Sequence, residues 1–134
     1  MDDCIFCKII KGEIPGMKIY EDDYTYAFLD IAKDVDGHTL VIPKKHVESL
    51  LECDSESMTH VMETVQKISR HYVDDCGYEG VNLFNCTKEC AGQSVFHFHI
   101  HIIPRKSGDG IKGVPSFDGA KVPLEETLEK LRIK

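Results

Sequence analysis

Residues 93–105 read QSVFHFHIHIIPR and set His97, His99 and His101 at alternate positions. Successive side chains of a β-strand face opposite ways. A strand from Val95 to Ile103 would therefore carry three imidazoles on one face and Phe98, Ile100 and Ile102 on the other. The second face reads as core-bound and the first as working. Burying three ring nitrogens side by side costs free energy unless each finds a partner, and a merely structural strand avoids that with Val or Thr. Core histidines satisfied by backbone groups are the alternative, weaker for three on one face than for one. Neutral imidazole either ligates zinc or works as a nucleophile or general base, and periodicity does not choose between these. Ala91, Gly92, Gln93 and Ser94, just upstream, offer close backbone approach, an amide and a hydroxyl, the donors that an oxyanion or phosphate requires.

Three further blocks lie upstream: CIFCKIIKGEIP at 4–15, AFLDI at 27–31 and GHTLVIPKKH at 37–46. With AGQSVFHFHIHIIPR at 91–105 they resemble, in order, the blocks of the histidine triad (HIT) superfamily of nucleotide hydrolases and transferases. The likeness covers residues 4–106 and is greatest to the Hint-like (protein kinase C inhibitor type) bacterial branch. It implies one HIT domain over 1–134, with a motif-bearing core at 4–106 and a variable tail at 107–134. It also implies hydrolysis at the α-phosphate of purine ribonucleotide phosphoramidates or adenylate esters. By the same resemblance His99 attacks phosphorus to give a covalent nucleotidyl-histidine that water cleaves. His101, Ser94 and Gln93 contact phosphate or leaving group, and Asn85 adds a further contact. Asp30 matches the ribose ligand, while Ile5, Phe6, Ile9, Phe28 and Ile31 match the apolar slot for the base. Read alone, Ile5, Phe6 and Ile9 are ordinary helix core and Asp30 a turn residue.

Other activities stay open at this point. A dinucleoside polyphosphate hydrolase would use the same His99, a purine nucleotide sensor would bind without turnover, and a metallohydrolase would hold zinc on the triad itself. A transferase of the galactose-1-phosphate type fits less well, because that branch carries Pro between two histidines where Phe98 stands.

Six cysteines raise a separate question. The acidic start and early Lys8 and Lys11 do not read as a secretory signal, so the expected location is cytoplasmic and the thiols reduced. The sequon Asn85-Cys86-Thr87 has no meaning there. Cys4 and Cys7 form a CxxC, half of a zinc site that needs two more nitrogen or sulfur ligands. In zinc-containing bacterial HIT proteins the other ligands are the histidine ending the PKKH block and the first of the triad. The resemblance thus implies one structural Zn2+ per chain on Cys4, Cys7, His46 and His97, with Cys86 and Cys90 as a rival pair and an unmetallated CxxC as the plain alternative.

At 134 residues and 42% hydrophobic the chain suits one domain with a real core. A net charge of −7 argues against a general nucleic-acid surface, so the phosphate site must be local. No stretch reads as transmembrane. The expected class is α+β: an antiparallel sheet of about five strands, one long helix and short terminal helices. Strands are expected around Met17 to Glu21, Tyr24 to Leu29, Thr39 to Pro43 and Val81 to Phe84, with a short helix over Ile5 to Lys11. Met58, Val61, Met62, Val65, Ile68 and Tyr72 recur at helical spacing behind Asp54 or Ser55 as cap. This stripe is core and, by family likeness, a contact of a homodimer. Gly108, Gly110 and Gly113 spell GxGxxG, but no helix follows, so they read as a mobile loop. Leu124, Leu128 and Leu131 suggest a last helix with Pro123 at its first position.

Overall fold

The computed structural model describes residues 3–32, 34–113 and 115–133. Five strands form one antiparallel sheet: β1 (Lys18–Glu21), β2 (Thr25–Leu29), β3 (Thr39–Pro43), β4 (Gly80–Phe84) and β5 (Ile100–Arg105), in the order β1-β2-β3-β5-β4. Among the described residues three α-helices accompany it: α1 (Ile5–Ile10), α2 (Ser55–Asp74) and α3 (Leu124–Leu131). The α+β architecture read from the sequence is the one observed.

Side-chain alternation sorts the sheet into two faces. Ala27, Val41, Phe98, Ile100 and Ile102 pack with Val61, Val65, Ile68 and Tyr72 of α2. Tyr26, Phe28, Leu40 and Ile42 take the other face and pack with Phe6 and Ile9 of α1. Leu40 stands opposite His101 in the β3–β5 register, so the histidines share the α1 face. The chain thus builds two cores, and α1 lies over the working one.

Local chemistry sets the boundaries. The Asp54 carboxylate accepts from the Ser57 amide at 3.0 Å and caps α2. Gly12, at φ +79°, ends α1 by sending its amide back to the Ile9 carbonyl at 3.0 Å. Gly37, at φ +81°, has no room for a Cβ, which would lie 2.8 Å from Pro104 Cγ, and it turns the chain into His38.

Two expectations need correction. The histidine strand begins at Ile100 rather than Val95 and runs to Arg105. Pro43 has no amide to extend the ladder past Val41–Ile100, and residues 95–99 instead anchor through Phe98 N to the Val47 carbonyl (2.8 Å) and His97 to the Pro43 carbonyl (2.8 Å). The GxGxxG stretch starts beside the Arg105 guanidinium, which donates to both Asp109 oxygens at 2.8 and 2.9 Å and to the Ile111 carbonyl. Pro123 occupies the N-cap of α3 rather than its first turn.

Candidate active site and metal cluster

Phe6 of α1 meets the histidine face edge-on, its centroid 5.2 Å from His99 and 5.9 Å from His97. His99 is buried, and its Nδ1 donates to the His97 carbonyl at 2.7 Å. A carbonyl can only accept, so the neutral ring carries its lone pair on Nε2. Burial also holds His99 below the ordinary imidazole value. Asn85 donates through Nδ2 to the His99 carbonyl at 3.0 Å while its Oδ1 accepts from Thr87 at 2.9 Å. Its contact is therefore with the backbone that carries the central histidine.

On one side of His99 lie four nitrogen and sulfur donors. Cys4 Sγ is 3.4 Å from His97 Nδ1, and Cys7 Sγ is 3.3 Å from His46 Nδ1 and 3.5 Å from His97 Nδ1. All four donor atoms fall within 4.8 Å of one another. His97 gives its other nitrogen to the Pro43 carbonyl at 2.8 Å, which turns the Nδ1 lone pair toward the thiols. Two thiols and two imidazoles at these separations fit tetrahedral zinc, and with four protein ligands the site is closed. Burial, then Cys4, pushes the Cys7 thiol up to about 11, and burial takes His97 down to about 4. The rival pair does not join: Cys86 and Cys90 lie outside the cluster.

On the other side of His99, centroid to centroid 4.9 Å, stands His101. Its Nδ1 is 2.8 Å from His38 Nε2, and His38 Nδ1 is 2.8 Å from an oxygen of Asp34. Asp30 adds a carboxylate oxygen 3.7 Å from His38 Nε2 and accepts from the Ala32 amide at 2.9 Å. Burial takes His101 down to about 4, and neighbouring His99 and His38 push the same way. His38 and Asp34 were the residues that sequence reasoning left out. Only the placement of His38 directly after Gly37 hinted at the first.

A cleft of about 850 Å³ opens beside this chain of groups, walled by Leu29, Asp30, Ile31, Asp34, His38 and Tyr78 among others. Its lining includes Asp30 and His38, whose ligand atoms lie within 4.8 Å of that of His101. Of the residues matched to the base slot, Ile31 is 81% exposed on the cleft wall and Ile5 is 44% exposed. Phe6, Ile9 and Phe28 are buried in the α1-side core, where Phe6 packs edge-on to Phe28 as well as to the histidines. Ser94 is exposed, whereas Gln93 is buried with its amide turned inward, donating to the Glu48 and Val95 carbonyls at 2.7 and 3.1 Å and accepting from the Lys88 amide at 2.9 Å.

A central imidazole with a free Nε2, flanked by a metal-type cluster and by an acid–imidazole chain on an antiparallel sheet, defines a histidine-triad protein. The sequence model of the HIT domain matches residues 11–108, and the chain belongs to the HIT family. It is 50% identical over 114 residues to Protein hit of Bacillus subtilis, covering 84% of this chain and 79% of that one. It is 40% identical over 133 residues to adenosine 5'-monophosphoramidase hnt1 of Schizosaccharomyces pombe, covering 98% and 97%. The crystal structure of a zinc-bound histidine triad family protein from Mycobacterium smegmatis matches with a TM-score of 0.77 and 36% identity, over 81% of this chain and 79% of that one.

Proposed function

We propose that the protein hydrolyses purine ribonucleotide phosphoramidates or adenylate esters at the α-phosphate, through a covalent nucleotidyl-His99 intermediate. The observation that carries this is the His99 Nδ1–H held by the His97 carbonyl, which leaves Nε2 as nucleophile. His99 Nε2 attacks phosphorus, the bond to the leaving group breaks, and the departing atom takes its electron pair. Water then attacks the same phosphorus and releases His99. His101 and Ser94 face the phosphate or leaving group in this scheme, with Gln93 bracing the loop that carries Ser94. Asn85 orients His99 through its backbone.

Asp30 takes the ribose hydroxyls, with Ile5, Phe6, Ile9, Phe28 and Ile31 on the base side. Adenosine phosphoramidate should accordingly be turned over faster than its deoxyribose analogue. Each lost hydroxyl contact is worth about 1 kcal/mol or more, a factor of roughly five. Asp30→Ala should remove that preference while sparing the phosphorus chemistry; equal kcat/KM for ribo and deoxyribo substrates in the wild type would refute the role given to Asp30.

One Zn2+ per chain fits Cys4, Cys7, His46 and His97, where it supplies a cross-link between α1 and the histidine segment. All six cysteines are free, which suits a reducing compartment such as the cytoplasm. Among the described residues no helix is long and apolar enough to cross a membrane.

The working unit in this reading is a two-fold dimer. Most of the α2 stripe is taken up by its own core, since Val61, Val65, Ile68 and Tyr72 are buried, but Met62 remains 42% exposed. β4 is an edge strand with Leu83 and Phe84 also exposed. An edge and apolar patch of this kind is suited to an isologous contact. Sedimentation should give twice the chain mass, and a monomer at micromolar concentration would contradict the dimer.

A further inference from the structure

We propose that Asp34 is a positioning residue that holds His38 so that the His38–His101 pair can carry the proton needed by a leaving amine. The inference deepens the hydrolase reading above and rests on it. The geometry is directional. The Asp34 oxygens lie 2.8 and 3.1 Å from His38 Nδ1, and a carboxylate accepts, so Nδ1 is the protonated nitrogen. His38 Nε2 then accepts from His101 Nδ1–H across 2.8 Å. This leaves His101 Nε2 as the end of the chain, on the ring adjacent to His99.

An alkylamine does not leave phosphorus as an amide ion, so the cleaved nitrogen must gain a proton as the P–N bond breaks. In the first half-reaction the His99 Nε2–P bond forms, the P–N electron pair goes to nitrogen, and the pair delivers its extra proton there. In the second half-reaction water attacks, the P–His99 bond breaks, and the proton lost by water returns to the pair. The difficulty is to keep an extra proton on buried imidazoles. On His101, desolvation, then His99 and His38, oppose it, whereas Asp30 and Asp34 favour it. Asp30 lies 3.7 Å from His38 Nε2 and is assigned to ribose; Asp34 makes the short contact to Nδ1. Its own carboxyl is held below the ordinary range, first by His38, and therefore supplies a full negative charge.

The sign of the pH effect follows. A negative charge on Asp34 favours the protonated pair, so its removal lets the proton go at lower pH. The alkaline limb of kcat/KM for an amine substrate should move toward acid. The Asp34 side chain is 54% exposed, so solvent screens its charge and the loss should be about tenfold rather than the full 10²–10⁴ of an absent general acid.

The test compares two leaving groups on the full-length protein. One substrate is adenosine 5'-phosphoramidate of a primary alkylamine; the other is adenosine 5'-(p-nitrophenyl phosphate), whose phenolate departs without a proton. In Asp34→Asn, kcat/KM should fall about tenfold for the amine near neutral pH, with the limb shifted to acid, and stay within about twofold for the aryl ester. Asp34→Glu should restore the amine rate in part. Equal loss on both substrates would make Asp34 merely structural and overturn the proposal, as would no loss on either. Failure of the hydrolase reading is seen separately, as a wild type that cleaves neither substrate.

Discussion

Replacing His99 by alanine is expected to leave a folded protein whose turnover of adenosine phosphoramidate drops by several orders of magnitude. The size follows from what remains. His101, Ser94 and the loop can still bind and polarise the phosphate, but no group is left to form the bond to phosphorus. The fold should tolerate the change, because the ring touches Phe6 only edge-on and its polar bonds are to one carbonyl and its own neighbourhood. His99→Ala therefore separates catalysis from binding: nucleotide affinity should persist while turnover goes. A variant keeping even a tenth of the wild-type rate would rule out His99 as nucleophile, and would favour the sensor reading if wild-type turnover were itself negligible.

The second large effect concerns the cluster of Cys4, Cys7, His46 and His97. Purified protein should carry about one zinc per chain, and Cys4→Ser should lower that content and the melting temperature together. Cys7 and His97 are buried, so the broken site leaves polar groups inside the α1-side core. A loss of about 3 kcal/mol would lower Tm by roughly 10 °C in a chain of this size. The reason to expect stability rather than chemistry to respond is structural. Four protein donors would close the coordination sphere, and a bound ion would join α1 to the segments just after β3 and just before β5. A chelator should accordingly act in step with unfolding. Metal-free protein melting at the unchanged temperature would remove the site, and prompt loss of activity in still-folded protein would place the metal in the reaction.

How much of this could be read in the sequence depends on whether a feature is periodic. The alternation Phe98, His99, Ile100, His101, Ile102 announced two faces, and the structure has them, with Phe98, Ile100 and Ile102 against α2 and His99 against Phe6. The limits of β3 were equally plain, and the cap of α2 was narrowed to Asp54 or Ser55, because a Pro-terminated apolar run and a polar cap before a helical stripe each have a local cause. The strand start at Val95 was misplaced for a non-local reason: the ladder ends where β3 runs out of amide donors at Pro43. Asp34 goes unread in the sequence, and His38 stands out only by its place after Gly37, because four residues apart in a loop is no pattern. Only the turn at Gly37 brings them to one line with His101. The base-slot residues show the opposite problem. Apolar letters such as Phe6, Ile9 and Phe28 read equally as core or as ligand wall, and their burial in the α1-side core is compatible with both.

The covalent intermediate on His99 is seen most directly by intact-protein mass spectrometry after brief mixing with adenosine phosphoramidate and quenching in base, where a phosphohistidine-type bond survives. The wild type should show a transient gain of one adenylyl group, located on His99 by fragmentation and missing from His99→Ala. An adduct on another residue, or steady turnover with no adduct at any time, would contradict an intermediate on His99.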